Sequence, residues 1–270
     1  MKRLQRLVLL GCLYLLAACQ AQPLVPSYEA TPQQTPTPSL TPSRTPVWFP
    51  ATDTPTPAPS LTLRPTEDLR PGLQPEVLSD DFSGGGWQTY KNEAGQAAFG
   101  VNELTLAISS AKASLVSFRA APLPGDSYFE ITATPNLCQR DDTFGLYLRA
   151  ASAGDGYRLL LTCAGMLRLE RLKNSEVVVL QDWTPGVGLR PGGMLPLRLG
   201  IWANAKELRI FVNDEYQFST RDPVWSEGLL GVFARSASDS PLTVSFSKLA
   251  VHPLDPARIP TLTPRPTSTP

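Results

Sequence analysis

The 270-residue chain has 24 basic and 24 acidic side chains and no net charge, and between Glu76 and Arg258 seventeen basic residues stand against twenty acidic ones. A net charge of −3 over that stretch excludes the basic footprint of a nucleic-acid-binding domain. The 28 prolines crowd into the first quarter and the extreme C-terminus, leaving a foldable stretch long enough to bury one hydrophobic core without a metal.

Lys2, Arg3 and Arg6 form a basic start, and Leu7 to Leu16 is an apolar run. At about ten residues that run is too short to cross a ~30 Å bilayer as a helix, so residues 1–18 read as a signal peptide. Its end, Leu16-Ala17-Ala18-Cys19, resembles the lipobox of bacterial lipoproteins. The resemblance implies cleavage before Cys19, acylation of that residue and a chain anchored to the extracytoplasmic face of the cell membrane. The plainer alternative is an ordinary small-residue cleavage site that happens to precede a cysteine. Two or more acyl chains, at ~0.8 kcal/mol per buried methylene, make a durable anchor where one would be marginal. Cys12 is discarded with the peptide.

After Cys19, residues 20–75 repeat Thr-Pro and Ser-Pro units and cannot bury a core. Such a linker favours extended polyproline II, and at ~3.1 Å per residue it would reach on the order of 150 Å. Trp48-Phe49 is its one adjacent aromatic pair, a small docking motif at most. The tail, residues 259–270, returns to the same composition, so the folded domain is expected over residues 76–258.

Within the domain, apolar residues alternate with period two in short runs separated by Gly, Pro, Asn and Asp turns, which predicts an all-β fold, a two-sheet sandwich or a barrel. Leu104, Leu106 and Ile108 share one face, as do Phe129, Ile131 and Ala133, then Leu195, Leu197, Leu199 and Ile201, then Leu208, Ile210 and Val212. Strands over 143–150 and 157–162 are expected to pair with Arg149 opposite Arg158 and Tyr147 opposite Leu160. Cys163-Ala164-Gly165 suits a three-residue hairpin loop with Gly165 left-handed, setting Leu160 opposite Arg168 and Arg158 opposite Glu170. A two-residue loop would place Arg158 against Arg171, a destabilising like-charge pair. One face then carries Tyr147, Arg149, Arg158, Thr162, Arg168 and Glu170. The other packs Leu146, Leu148, Tyr157, Leu159, Leu161 and Leu169.

The order Asp81-Phe82-Ser83 and Gly86-Trp87, Phe144-Gly145-Leu146-Tyr147-Leu148-Arg149, Gly156-Tyr157-Arg158-Leu159, then Ile201-Trp202-Ala203-Asn204 before Leu208-Arg209-Ile210-Phe211-Val212-Asn213 resembles a known family. It is similar to concanavalin A-like (laminin G-like) jelly-roll domains of bacterial surface proteins, related to the group that includes 3-keto-disaccharide hydrolases. The resemblance covers 77–251 and implies a β-sandwich jelly roll. These motifs specify the fold more than an activity.

Cys138 and Cys163 are the cysteines left in the mature domain, and in an oxidising exterior they are expected to form a disulfide. The single histidine, His252, has no second ligand or nucleophile beside it, and Gly84-Gly85-Gly86 lacks the Lys and helix of a phosphate loop. Glycosidases need two carboxylates about 5 to 9 Å apart. The acidic cluster Glu-x-Asp-x-x-Glu that enzymes of the resembling fold display on one strand is absent here, while Asp141-Asp142 and Asp214-Glu215 read as loop acids. No catalytic residue is therefore assigned, and no cofactor is expected beyond calcium at Asp80-Asp81, where some laminin G-like domains hold it and solvated loop acids are the simpler reading.

The candidate ligand surface is the polar sheet face with Tyr147, Arg149, Arg158 and Arg168, extended by Trp202 and Phe211. Aromatics beside guanidinium groups suit sugars or acidic glycans, although any outer sheet face shows mixed Arg, Glu and Tyr. The expected function is non-catalytic recognition of carbohydrate or another cell-surface ligand by a monomer. A glycan hydrolase of the same fold and a structural envelope module are the alternatives.

Overall fold

The computed structural model describes residues 68–190, 192 and 195–260. The expected signal peptide, the expected lipidation site Cys19, the expected stalk to residue 67 with Trp48-Phe49, and the expected tail from residue 261 lie outside the described residues. Among the described residues fifteen strands follow in order: β1 (Leu78–Asp80), β2 (Tyr90–Asn92), β3 (Gly95–Phe99), β4 (Leu104–Ile108), β5 (Ser114–Phe118), β6 (Ser127–Leu137), β7 (Thr143–Ser152) and β8 (Asp155–Thr162). Then come β9 (Met166–Lys173), β10 (Glu176–Pro185), β11 (Leu197–Asn204), β12 (Glu207–Val212), β13 (Glu215–Arg221), β14 (Leu229–Arg235) and β15 (Leu242–Pro253). They form a two-sheet β-sandwich jelly roll. One sheet has the order β13-β12-β11-β6-β15-β4-β3-β2, with β1 also on β15, and the other has the order β10-β9-β8-β7-β14-β5.

Period-two patterning produces this architecture directly, because successive side chains on a strand point to opposite faces. Leu104, Leu106 and Ile108, Phe129, Ile131 and Ala133, and Leu208, Ile210 and Val212 are buried between the sheets. From the second sheet Phe144, Leu146, Leu148, Tyr157, Leu159, Leu161 and Leu169 meet them. Each such leucine, isoleucine, valine or phenylalanine contributes about 1.5–3 kcal/mol on leaving water. The run that begins at Leu195 is shorter than expected: β11 starts at Leu197, and Leu195 is exposed.

The Cys163-Ala164-Gly165 loop has the anticipated form. β8 ends at Thr162, β9 begins at Met166, Gly165 has φ +82°, and Arg158 pairs Glu170 while Leu160 pairs Arg168. The β7–β8 hairpin differs. Tyr147 pairs Arg158 and Gly145 pairs Leu160, a two-residue slip from the expected register that preserves which side chains share a face. Its cause is a tight turn at Ala153-Gly154 preceded by a bulge. Between the pairs Leu148–Tyr157 and Ser152–Asp155, three residues of β7 oppose Gly156 alone. Gly156 is required there, since a Cβ would lie 2.7 Å from Ala150 Cα.

Cys138 and Cys163 are joined, with Cα atoms 6.0 Å apart, tying the end of β6 to the β8–β9 loop. At the domain entry, residues 68–74 form a strap over the outer face of the nine-stranded sheet, although the sequence reads as linker there. Trp202 Nε1 donates to Pro71 O at 3.0 Å, Arg209 Nη1 donates to Leu69 O at 3.0 Å, and Asp255 N donates to Gly72 O at 2.7 Å. Gly72, at φ +80°, admits this approach because a Cβ would meet Asp255 O at 2.8 Å.

Candidate functional site

The six residues singled out on sequence fall into three environments. Tyr147, Arg158 and Arg168 do share the outer face of the six-stranded sheet. There Tyr147 is only 3% exposed, packed against Phe118 and edge-on to Phe233. The Arg158 guanidinium lies 5.9 Å from the Tyr147 and Phe233 ring centroids and donates to Glu170 Oε2 from Nε at 3.2 Å and Nη2 at 2.6 Å. Arg168 Nε lies 2.9 Å from Glu170 Oε1, and its guanidinium sits 5.6 Å from the Trp183 ring centroid. Pairing at Arg158–Glu170 and Leu160–Arg168 places these groups side by side on adjacent strands.

Arg149 does not belong to that face. The bulge puts it at φ +48°, and its guanidinium turns inward to donate to Ala205 O at 2.6 Å, Trp225 O at 3.1 Å and Gly125 O at 2.6 Å. Burial pushes its pKa down, partly offset by the Asp126 carboxylate 3.6 Å away. Arg149 is thus a staple joining three loops.

Trp202 and Phe211 do not extend the face either, because β11 and β12 belong to the other sheet. Their side chains do point away from the core, but the strap covers them. Trp202 is 1% exposed beneath Pro71 with Arg209 stacked 4.4 Å from its centroid, and Arg70 lies 5.0 Å from Phe211. Arg70 also donates to the Tyr128 hydroxyl, which burial and the Glu130 carboxylate hold well above the ordinary tyrosine range.

Above the six-stranded sheet lies an open groove of about 330 Å³. Thr143 and Leu160 line its middle, Arg158, Arg168, Glu170 and Trp183 one flank, and Lys112, Asp141, Arg235, Ser236 and Ala237 the other. Gly145 lies beside this floor, between Phe233 and Leu160 in the ladder, and contributes no side chain to fill it. A Cβ there would strike Leu159 O at 2.0 Å and Phe233 Cε1 at 3.2 Å. Trp183 is 37% exposed and was not anticipated as a site residue. β10 shifts register between Val179 and Gln181 and again before Thr184, so alternation along the sequence does not tell which face its indole takes.

Four of the acids considered on sequence, Asp80, Asp81, Asp142 and Asp214, have partners. Asp80 accepts from Phe82 N and Trp87 Nε1, and Asp81 accepts from Ser83 N, which holds its pKa down. Asp142 is buried and accepts from Gln139 N and Ala237 N. Asp214 pairs with Arg70 and Arg198, and His252 Nδ1 lies 3.1 Å from Gln74 O. Among the described residues no three His, Cys, Asp or Glu side chains gather in a metal-binding group.

No protein-family profile matches the chain, and no curated protein matches it in sequence. Among solved structures it is similar to a Bacillus subtilis protein of unknown function with a galectin-like fold, at 14% identity, over 68% of this chain and 98% of the other, with a TM-score of 0.54. It is also similar to a structure described as a native glycosidic hydrolase, at 8% identity over 66% and 96% of the chains, TM-score 0.51. A third, from a report on endo-acting O-glycanases of the human gut microbiota that initiate mucin breakdown, shares 12% identity over 67% and 100%, TM-score 0.50. At these identities the likeness shows the jelly-roll fold alone.

Proposed function

We propose that this protein is a membrane-anchored, extracytoplasmic recognition module that binds carbohydrate in the groove of its six-stranded sheet. The observation that carries the reading is the exposed Trp183 indole beside Arg168, the Arg158–Glu170 pair and the Thr143 hydroxyl, over a shallow floor. A sugar ring has an apolar face for the indole and hydroxyls for the charged groups, so this pairing of stacking surface and oriented hydrogen-bonding groups suits it. Two structures of the same fold are named for glycan-acting enzymes, in keeping with a saccharide ligand.

Anchoring through Cys19 is supported by Leu16-Ala17-Ala18-Cys19. The strap lies over the nine-stranded sheet, across the sandwich from the groove, and so leaves the groove open to a ligand. Kinship with the group that includes the 3-keto-disaccharide hydrolases belongs to the same proposal and is supported by the motif order from Asp81-Phe82-Ser83 to Val212-Asn213.

Glu170 and Asp141 both line the groove, which favours one second reading, a hydrolase using them as its carboxylate pair. Against it, both Glu170 oxygens are engaged by arginines. The test is binding of the purified full-length protein to a panel of immobilised polysaccharides, with turnover measured in parallel. The recognition reading expects saturable binding without product, weakened about 30-fold in Trp183→Ala, as for an aromatic anchor worth ~2 kcal/mol. Product release abolished by Glu170→Gln would establish the hydrolase instead, and no binding across the panel would refute both.

A further inference from the structure

We infer that the ligand of this groove is an anionic glycan, bearing carboxylate or sulfate groups, and that Arg168, Arg235 and Lys112 read its charge. The inference rests on the carbohydrate reading above and goes beyond it in ligand class. The domain from Glu76 to Arg258 has a net charge of −3, yet the groove is lined by four cations, Lys112, Arg158, Arg168 and Arg235, against two acids, Asp141 and Glu170. Positive charge is therefore gathered on this surface against the sign of the whole, and a concave site concentrates such a field.

Arg158 is the most fully partnered of the four: Glu170 takes its Nε and Nη2, and Nη1 lies 3.4 Å from the Tyr147 hydroxyl. Arg168 is incompletely partnered. Its buried Nε, though near Glu170 Oε1, is out of line for a hydrogen bond, and Nη1 is 3.8 Å from an Asp182 carboxylate that is 79% exposed. Arg235 and Lys112 are exposed and make no ion pair among the described residues. Arg158 thus neutralises Glu170 and sets its position, and the other three cations retain donors for a ligand.

The ladder fixes their spacing. Arg235 pairs Thr143, Thr143 pairs Thr162, and Arg168 pairs Leu160 two residues along β8. Three strand spacings across and two residues along put the Arg235 and Arg168 Cα atoms roughly 16 Å apart. That span suits a short oligosaccharide with charged groups on different rings, with Trp183 as a stacking surface at one end. Arginine suits the role because its planar fork matches carboxylate and sulfate oxygens.

The test is the affinity of the full-length protein for polygalacturonate and chondroitin sulfate, with neutral galactan and laminarin in parallel, at 0.05 and 0.5 M NaCl. The inference expects at least one acidic polymer to bind about tenfold or more tighter than either neutral one, with the advantage falling in high salt. Arg235→Ala and Arg168→Gln should each weaken that binding about tenfold, the scale of one charge-assisted contact, at unchanged melting temperature. Arg235 is exposed at a strand end, so its variant keeps the fold if Arg168→Gln does not. Neutral polymers binding as tightly, with loss on Trp183→Ala, would overturn the anionic assignment and leave the carbohydrate reading standing. Acidic binding indifferent to both arginine variants would overturn it as well. No binding to any of the four polymers would overturn it together with the carbohydrate reading.

Discussion

Replacing Arg149 with Ala should cost stability and leave the ligand surface intact, the reverse of what its place in Tyr147-Leu148-Arg149 suggests. The side chain is 7% exposed and satisfies three backbone carbonyls, those of Gly125, Ala205 and Trp225. Truncation strands these acceptors, at ~1–3 kcal/mol for each one left without a partner. Local relaxation and entering water recover part of that, so the expected loss is about 3–5 kcal/mol. For a domain of this size 1 kcal/mol shifts the midpoint by roughly 2–4 °C, so the melting temperature should fall by roughly 10 °C. Arg149→Gly should be less damaging than Arg149→Ala by about 1 kcal/mol, because φ +48° suits glycine. The assay pairs calorimetric melting with polysaccharide binding well below the variant's midpoint. An unchanged midpoint with binding lost would refute the reasoning and return Arg149 to the ligand surface.

Three further outcomes follow from the geometry. A chain beginning at Glu76 should be less stable than one beginning at Asp68 by several kcal/mol, roughly the summed cost of three orphaned donors, Trp202 Nε1, Arg209 Nη1 and Asp255 N, and the uncovered aromatic surface of Trp202 and Phe211; equal midpoints would show the strap to be idle. The Tyr157 hydroxyl, donating to Asp222, is pushed up to about 12 chiefly by burial. Its stabilising contribution is present below the ordinary value of 10.0 and lost as pH rises through 12, so wild type should show alkaline destabilisation in that window that Tyr157→Phe lacks. Burial acts to raise Glu207, but hydrogen bonds from Arg209 and Arg221 outweigh it and hold the carboxylate below its ordinary 4.5. Its contribution is therefore present above 4.5 and lost as pH falls below that value, and Glu207→Gln should flatten this acid limb in a melting-temperature profile.

The fold was legible because burial on one face imposes period two, and that pattern survived a register error. The β7–β8 slip moved the pairing by two residues, which leaves every inward leucine inward. The three-residue β8–β9 loop was readable because Arg158 against Arg171 is costly and Arg158 against Glu170 is not. Half of the candidate face followed from this pairing, since Tyr147, Arg158 and Arg168 were placed by parity. Arg149 was lost to a bulge, which changes parity without a mark in the sequence. Trp202 and Phe211 do point out of the core, as alternation implied, but nothing local in the sequence told which sheet they join or that Pro71 lies over the indole. Trp183 was missed for the same reason as Arg149, because irregular pairing along β10 breaks the alternation.

Indole NMR shows whether ligand binds over Trp183 on the six-stranded sheet. The chain has five tryptophans, each with one indole N–H, of which Trp202 and Trp225 donate to Pro71 O and Leu172 O and Trp87 to Asp80. Titration of ¹⁵N-labelled protein with the saccharide chosen from the panel should shift the Trp183 indole signal saturably and leave those of Trp87 and Trp202 in place. A titration that moves the Trp202 signal while Trp183 stays fixed would contradict the account and put the ligand on the opposite sheet.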